Sequence, residues 1–276
     1  MRHTGHQPLS QPPRIQPTQS GVLILPVVQQ DSRVVPPLPE PRTITLEVVA
    51  ASEITANMRR IVLGGEELRG FHHLPGQDIM LSLPTGTGGA VNRRYSIRHF
   101  EPSSLTLELN AVRHGSGPGS SWLELAAAGQ LLANVVAPRG KITVNPAAPW
   151  HLFIGDETAI PAAYNMVEAI GTTAGAKLLM EVAGADEEMT PAPAPATWIH
   201  RQGDPPGEEG RLMEAVAGLA LPPGDGHVYI AGEARTVLRI RDLLVGRGVV
   251  RARMSVKAYW RKDMANLERG EPQPAE

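Results

Sequence analysis

Between Arg42 and Pro149 the chain alternates apolar and polar residues in short runs, which clusters of Gly, Pro and Ser separate. Successive side chains of a strand point to opposite faces, so each alternating run predicts one half-buried strand. Several short strands at this spacing predict a small antiparallel barrel. The predicted strands are Thr43 to Val49, Arg59 to Leu63, Asp78 to Leu83, Ser96 to His99, Leu105 to Val112 and Lys141 to Val144.

After Pro149 apolar strand patterns alternate with helical patterns, which predicts a mostly parallel sheet flanked by helices. Ligands bind such sheets at the carboxyl ends of the strands. The predicted strands are Trp150 to Ile154, Lys177 to Val182, Thr197 to His200, His227 to Ala231 and Arg251 to Tyr259. The predicted helices are about Ala159 to Ile170, Arg211 to Leu219 and Ala234 to Val245.

These patterns divide the chain into two domains and two tails. We predict a barrel domain at 41–147 and an α/β domain at 148–263, inside which Ala185 to Pro195 forms a surface loop. Residues 1–40 contain eight prolines and lack a sustained apolar period, so they are expected to form a flexible tail. Residues 264–276 are expected to form a polar tail.

Composition narrows the chemistry. The chain has no cysteine, which excludes disulfides, thiolate metal sites and cysteine nucleophiles, so redox chemistry would require a bound cofactor. A formal charge of −2 gives no reason to expect nucleic acid. The apolar run Gly21 to Val28 is too short to span a bilayer. We therefore expect a cytoplasmic protein without membrane insertion, and a monomer.

The segment Arg93 to Arg98 places arginines around Tyr95 and Ser96 on a predicted barrel strand. A guanidinium can donate two charged hydrogen bonds to a pyrophosphate, and an aromatic face can pack on a flat ring. An ordinary edge strand with solvated arginines would have the same sequence. Both interpretations remain open on these residues alone.

The segment His114 to Trp122 is rich in Gly and Ser and precedes a helical pattern over Leu123 to Ala128. Backbone amides at such a helix start favour a phosphate, although a flexible barrel loop is the alternative. The segment is not a Gly-x-Gly-x-x-Gly fingerprint, because Ser120 occupies the last glycine position.

Three turns follow predicted parallel strands: Gly155 to Thr158, Ala231 to Glu233, and Tyr259 with Trp260. Their common position at carboxyl strand ends predicts one ligand crevice, while capping turns and a structural aromatic pair are the alternatives. Asp156 and Glu157 are adjacent on a turn, so their side chains diverge, and no His follows them. We therefore predict no metal site.

Six motifs in this order resemble the siderophore-interacting proteins, over about Arg42 to Lys262. They are Arg93-x-Tyr95-Ser96, His114-Gly115 to Trp122, Ala137-Pro138-Arg139-Gly140, Gly155-Asp156-Glu157-Thr158, Ala231-Gly232-Glu233-Ala234 and Tyr259-Trp260-Arg261. The resemblance implies an antiparallel FAD-binding β-barrel followed by a Rossmann-like parallel α/β domain that binds NADPH or NADH. The implied activity is reduction of a ferric siderophore or other ferric chelate, which releases Fe(II).

The resemblance also implies a role for individual residues, none of them an acid or base. Tyr95 would lie along the isoalloxazine and ribityl chain, and Ser96 would hydrogen-bond near flavin N5. The FAD phosphates would be held by Arg93, by Arg94 or Arg98, and by His114, Gly117, Gly119, Ser120 and Ser121. The nicotinamide dinucleotide would be held by Gly155, Asp156, Glu157, Thr158, Ala231, Gly232 and Glu233, with Tyr259 and Trp260 near its reactive face.

One position departs from the family pattern. Many members have a lysine on the barrel strand after an aspartate, where it attracts anionic ferric chelates, and here Met80 occupies that position after Asp78. Arg139, Lys257 and Arg261 are the candidate replacements for this positive charge. This departure leaves two alternatives open, a chelate of different charge or another kind of acceptor.

The choice between NADH and NADPH stays open, since Asp186, Glu187 and Glu188 would repel a 2′-phosphate while Arg201 or Arg235 could attract one. Three other functions also remain. They are a reductase of the same architecture with a protein, quinone or free-flavin acceptor, a non-catalytic protein that binds a ferric chelate or flavin, and a scaffold role for the proline-rich tail.

Overall fold

The structure is a computed structural model, and it describes residues 42–85, 88–113, 117–140, 142–171, 175–207 and 210–262. The tails predicted at 1–40 and 264–276 lie outside the described residues, as does His114.

The first part of the described chain is a closed barrel of six antiparallel strands. The strands are β1 (Arg42–Glu53), β2 (Met58–Gly64), β3 (Asp78–Pro84), β4 (Ala90–Glu101), β5 (Thr106–Val112) and β6 (Leu131–Arg139), and helix α1 (Pro118–Leu125) precedes β6. Their order around the barrel is β1-β2-β5-β4-β3-β6. Ile44, Leu46 and Val48 alternate inward along β1, as the period of two predicts.

The second part is a five-stranded parallel sheet with helices between its strands. The strands are β7 (Trp150–Asp156), β8 (Gly175–Val182), β9 (Ala196–His200), β10 (His227–Glu233) and β11 (Met254–Trp260), and the helices are α2 (Ile160–Ile170), α3 (Arg211–Gly218) and α4 (Ala234–Gly246). Their order is β11-β10-β7-β8-β9. The chain moves outward on one side of β7 and then returns to its other side, so the expected ligand crevice lies between the ends of β7 and β10. The predicted architecture, a barrel followed by a parallel α/β sheet, is confirmed.

The sixth barrel strand was predicted in the wrong place. Residues 142–144 form no strand, and Ile142 instead packs in the core beside α2, while β6 supplies the strand that pairs with β1 and β3. The buried side chains of β6 are Leu132 and Val135, three positions apart, because Asn134 has a left-handed φ of 60° and the register shifts there. This bulge removes the alternation on which strand prediction depends.

The stretch Ala185 to Pro195 is not simply a surface loop, because Glu187 and Met189 are buried. The Glu187 carboxylate accepts hydrogen bonds from the Thr55 hydroxyl and from both the backbone and side-chain nitrogens of Asn57. Thr55 and Asn57 belong to the turn between β1 and β2, so this carboxylate joins the α/β part to the barrel.

Helix α2 makes a second connection to the barrel. Glu168 binds the Arg98 guanidinium through two bonds of 2.6 Å each. Asn165 accepts from the Gly76 amide at 3.0 Å and donates to the Arg98 carbonyl at 3.2 Å. One face of α2 therefore fixes the middle of β4 against the parallel sheet.

Within the described ranges, every helix is too short or too polar to cross a membrane.

Replacing Glu187 with alanine should lower the free energy of unfolding by about 2 kcal/mol, because the Asn57 nitrogens lose their buried acceptor. Urea unfolding measures the change. Asp186→Ala is the matched control, since Asp186 is an exposed neighbour with the same charge, and it should change the stability by less than about 0.5 kcal/mol. Equal losses in the two variants would contradict the importance of this connection.

Candidate functional site

Strand β4 carries the arginine and tyrosine motif and presents it on two faces. Arg93 and Tyr95 face α1, where a Cβ added at Gly119 would lie 3.1 Å from the Tyr95 hydroxyl and 3.5 Å from the Arg93 Cγ. The Tyr95 ring also packs on Trp122, with 5.8 Å between ring centroids. Burial raises the pKa of Tyr95, so its hydroxyl stays neutral.

The start of α1 has the properties of a phosphate site. Gly117 is its N-cap, Pro118 follows, no side chain caps the amides, and the first turn contains no acidic residue. Amides at such a helix start favour an anion, and the Arg93 guanidinium adds charge beside them. Ser120 is buried within this turn, whereas the Ser121 amide already donates to the Gly117 carbonyl.

These features fit the phosphates of FAD. Gly119 leaves no Cβ between α1 and the Arg93 and Tyr95 side chains, so both side chains can pack against the start of the helix, where its amides lie. The indole nitrogen of Trp122 is also a buried donor without a partner among the described residues. His114 falls outside the described residues, so its predicted contact stays a prediction.

The opposite face of β4 meets Asp78 of β3. In the strand register Ser96 lies opposite Asp78, and Arg94 lies opposite Met80. The buried Asp78 carboxylate accepts from Arg94 Nη2 at 2.6 Å and from Lys257 Nζ at 2.5 Å. One carboxylate thus joins two cations, and the group carries a net positive charge.

The three candidates for an acceptor-side cation have different environments. Lys257 is buried and paired with Asp78, so it does not present an exposed charge. Arg139 is half-buried at the end of β6, in register with Asp78, and Arg261 is exposed. Arg98, an alternative phosphate contact, is paired with Glu168.

The last strand brings Tyr259 to the barrel motif. The Tyr259 hydroxyl lies 3.5 Å from the Ser96 hydroxyl, and the Lys257 ammonium lies 5.2 Å from the Tyr259 ring centroid. Burial raises the pKa of Tyr259. The predicted flavin-side and nicotinamide-side residues therefore meet at one junction.

Asp156, at the end of β7, joins three strand ends. Its buried carboxylate accepts from the backbone and hydroxyl of Thr158 at 2.9 and 2.5 Å, from the Glu233 amide at 2.9 Å and from the Trp260 indole at 2.8 Å. Burial, and then the neighbouring Glu157, raise the pKa of Asp156 to about 6. Asp156 thus holds the turns in place, with its oxygens already engaged by protein donors.

Small residues let these turns approach each other. A Cβ at Gly155 would lie 2.2 Å from the Ala231 carbonyl oxygen, and one at Gly232 would lie 2.5 Å from Asp156 Oδ2. Gly232 also has a φ of 138°, which disfavours any side chain. The glycines predicted to contact a dinucleotide are therefore required first by the packing of β7 against β10.

Acidic side chains cap the turns at this edge of the sheet. Asp156 caps the turn before α2, and the Thr158 amide is already used in that bond. Glu233 caps α4 by accepting from the Thr236 amide at 2.9 Å. Asp156 and Glu233, two of the three acids predicted to hold the dinucleotide, thus have structural partners within the protein.

A buried ion pair lies at the ends of β7, β8 and β9. Arg201 donates to both oxygens of Glu157, at 2.6 and 2.8 Å, and lies 3.8 Å from Glu181. Burial, and then the neighbouring acids Asp156 and Glu157, raise the pKa of Glu181 to about 7, although Arg201 opposes the shift. Arg201 itself has a raised pKa, because Glu157 outweighs the effect of burial.

A small crevice lies beside these acids at the switch point of the sheet. Its lining comes from the ends of β7, β8 and β10 and from α3 and α4, and includes Gly155, Asp156, Glu181, Gly207 and Glu233. This is the place at which open α/β sheets bind their ligands.

Sequence reasoning missed the roles of Asp78, Asn165, Glu168 and Glu181. Each is a polar residue inside or beside an otherwise apolar pattern. That signal indicates a satisfied buried group but does not identify its partner, which lies far away in the chain.

Asp156→Asn should lower the free energy of unfolding by about 2–4 kcal/mol, because an amide nitrogen would face donors where an oxygen now accepts. Asp204→Asn alters an exposed acid and should have little effect. Chemical unfolding of both variants tests this difference. Equal stability of the two variants would mean that the four bonds to Asp156 do not hold the turns.

Glu181→Gln should flatten the dependence of stability on pH. Because the folded-state pKa of Glu181 is raised, its contribution is full below its ordinary pKa and is lost as pH rises through about 7. Between pH 6 and 8 the wild type should lose about 1 kcal/mol more than this variant. Glu214→Gln, at an exposed position, should follow the wild type in unfolding measured across this range.

Comparisons with known proteins agree with this geometry. The family described as siderophore-interacting protein matches residues 148–263, and the siderophore-interacting FAD-binding domain matches residues 82–142. The crystal structure of a siderophore utilization protein from T. fusca is 34% identical with a TM-score of 0.76, and covers 82% of this chain and 95% of that one.

Two curated relatives are named as reductases. Ferric vibriobactin reductase ViuB of Vibrio cholerae is 26% identical over 79% of this chain and 89% of its own length. The NADPH-dependent ferric-chelate reductase of Escherichia coli is 25% identical over 78% of this chain and 91% of its own length. With the matched domains, the shared fold and the T. fusca structure, these relatives show that the chain belongs to the siderophore-interacting protein family.

Proposed function

We propose that this chain is an FAD-containing reductase that takes electrons from NADH or NADPH and reduces a ferric siderophore or other ferric chelate in the cytoplasm. The observation that carries the proposal is the contact between Ser96 and Tyr259, 3.5 Å apart. It places the barrel motif and the carboxyl end of the parallel sheet at one junction, as transfer between two bound cofactors requires. The names of the V. cholerae and E. coli relatives support the ferric acceptor.

The barrel would hold FAD through the residues around α1. Arg93 and the first amides of α1, from Gly119 and Ser120, would bind its phosphates, and Gly119 lets Arg93 pack beside those amides. Tyr95 would lie along the flavin, and Ser96 would donate near its N5. We leave Arg94 and Arg98 out of the phosphate site, since carboxylates already engage both guanidinium groups.

The α/β part would position the nicotinamide. Asp156 would hold Trp260 and the Glu233 turn in place, rather than contact the dinucleotide itself. Tyr259 would remain neutral and occupy the junction. No described residue is required to accept or donate a proton during electron transfer, so the protein would act by positioning and by excluding water.

Bound FAD supplies the conversion between a two-electron donor and a one-electron acceptor. Each reduced nicotinamide would reduce two Fe(III) to two Fe(II) and release one proton. Fe(II) carries less charge, so hard oxygen donors hold it more weakly. Release of the metal would then follow from reduction alone.

On the acceptor side, the charge that Met80 lacks would come from the neighbouring strand. Arg94 lies opposite Met80 and has a partly exposed side chain, and Lys257 offsets the charge of Asp78. Arg94 would therefore present a positive charge beside Ser96, with Arg139 and Arg261 as further candidates. This arrangement would favour an anionic chelate.

An anaerobic absorbance experiment tests the proposed function. Flavin bands should bleach on addition of NADH or NADPH, and they should recover when a ferric siderophore is added with a ferrous trap that then develops colour. Bleaching without iron reduction would favour a protein, quinone or free-flavin acceptor. Absence of flavin, even after reconstitution with FAD, would exclude the enzyme and favour a binding role.

Arg93→Ala should weaken FAD binding by about 10-fold to 100-fold, because a charge-assisted hydrogen bond to phosphate is lost. Flavin fluorescence on titration of the apoprotein measures the affinity. Arg69→Ala removes an exposed arginine and should leave the affinity unchanged. If both variants bind FAD like the wild type, Arg93 does not hold the phosphates.

A further inference from the structure

The crevice at the ends of β7, β8 and β10 is the proposed site of the nicotinamide dinucleotide, the electron donor, and is named the donor crevice. Its charged residues have an unusual arrangement where the dinucleotide would place its adenosine ribose. In open α/β sheets an acid about 20 residues beyond the first turn binds the ribose 2′-hydroxyl of NAD, whereas a nearby arginine accommodates the 2′-phosphate of NADP. Glu181 has the position of that acid. It is the penultimate residue of β8, next to β7, lies in register with Asp156 and lines the crevice.

Arg201 has the position of the phosphate-binding arginine, but it is already committed. It follows β9, its backbone amide donates to the Val182 carbonyl at 3.0 Å, and its guanidinium holds both oxygens of Glu157. Its side chain is only 7% exposed, and that of Glu157 is 14% exposed. The pair is therefore a largely buried, two-bonded ion pair.

A 2′-phosphate could reach Arg201 only by displacing Glu157. Displacement would leave a buried carboxylate without its cation, which is strongly unfavourable. It would also place the phosphate dianion beside Glu181, which lies 3.8 Å from the same guanidinium. A ribose 2′-hydroxyl carries no charge and so meets neither obstacle, and Glu181 lines the crevice as the candidate acceptor of its hydrogen bond.

The neighbouring loop does not offset these charges. Asp186 and Glu188 follow β8, and Glu188 is paired with His200 at 2.8 Å. Asp204, in the loop after β9, is also acidic and is 3.4 Å from Arg211. Around Arg201 the carboxylates of Glu157, Glu181, Glu188 and Asp204 thus outnumber the guanidinium groups, those of Arg201 and Arg211. Arg235, the other arginine expected to attract a 2′-phosphate, is exposed in the first turn of α4.

We infer that the electron donor of this chain is a nicotinamide dinucleotide without a 2′-phosphate, NADH, and that the Glu157–Arg201 pair with Glu181 determines this selectivity. The inference rests on the proposed function for the hydride transfer itself. The inferred donor, NADH, differs from the NADPH that the name of the E. coli relative states for that protein.

Fragment binding tests the inference without turnover or flavin. Isothermal titration calorimetry should show ADP-ribose binding the wild type at least ten times more tightly than 2′-phospho-ADP-ribose. Glu157→Gln removes the carboxylate that binds Arg201 through two bonds and should raise affinity for the phosphorylated fragment tenfold or more. Glu181→Gln should reduce the discrimination by a smaller factor, and Glu214→Gln, on the exposed side of α3, should preserve it.

Stopped-flow reduction of the FAD-loaded protein gives the second measurement. The kcat/KM for NADH should be at least ten times that for NADPH. Glu157→Gln should reduce this ratio by lowering the KM for NADPH. Equal or tighter binding of the phosphorylated fragment by the wild type would overturn the inference. If neither nucleotide reduces the flavin, the proposed function fails, while the calorimetric preference still decides the selectivity of the crevice.

Discussion

A single buried carboxylate, that of Asp156, holds together the part of the sheet on which the site depends. Its four hydrogen bonds come from the turn that follows β7, the amide that ends β10 and the indole that ends β11. Parallel strands bond to each other along their length, but their ends diverge into separate loops. Asp156 prevents that divergence. Because Gly155 and Gly232 have no Cβ, the strand ends and the Asp156 carboxylate can approach each other closely enough to bond. The raised pKa of Asp156 reflects the cost of burying this charge.

The barrel and the sheet are joined by the same kind of interaction, a carboxylate that satisfies several donors. Asp78 accepts from Arg94 within the barrel and from Lys257 in the sheet, Glu187 caps the β1–β2 turn, and Glu168 binds Arg98. Such bonds depend strongly on direction, whereas apolar contacts tolerate sliding. The junction that contains Ser96 and Tyr259 is therefore defined in position as well as held together.

The order of elements could be predicted because the two halves have different periods, two in the barrel and a strand-helix alternation afterwards. Strand β6 was not predicted because the left-handed Asn134 breaks its alternation of apolar and polar residues. A strand was predicted instead at 141–144 because Ile142 is apolar, but Ile142 is buried beside α2 and not in a strand. The site residues were located by motif. Their partners were not, because Asp78 and Lys257 are 179 positions apart and no local pattern relates them. The sequence also could not show that Arg201 is already paired, which depends on three strand ends meeting.

Helix α2 begins after the turn that contains Asp156 and Thr158. Its residues Asn165 and Glu168 bind strand β4 and the segment before β3. Helix α2 thus sets the distance between the proposed donor crevice and the strand that carries Ser96. In the proposed reaction, hydride transfer would fall off steeply as the reacting atoms separate, so that spacing would govern its rate more than the affinity for either cofactor. In related chains, a change in the length or tilt of this helix would therefore alter the rate of flavin reduction and leave the affinity for each cofactor unchanged.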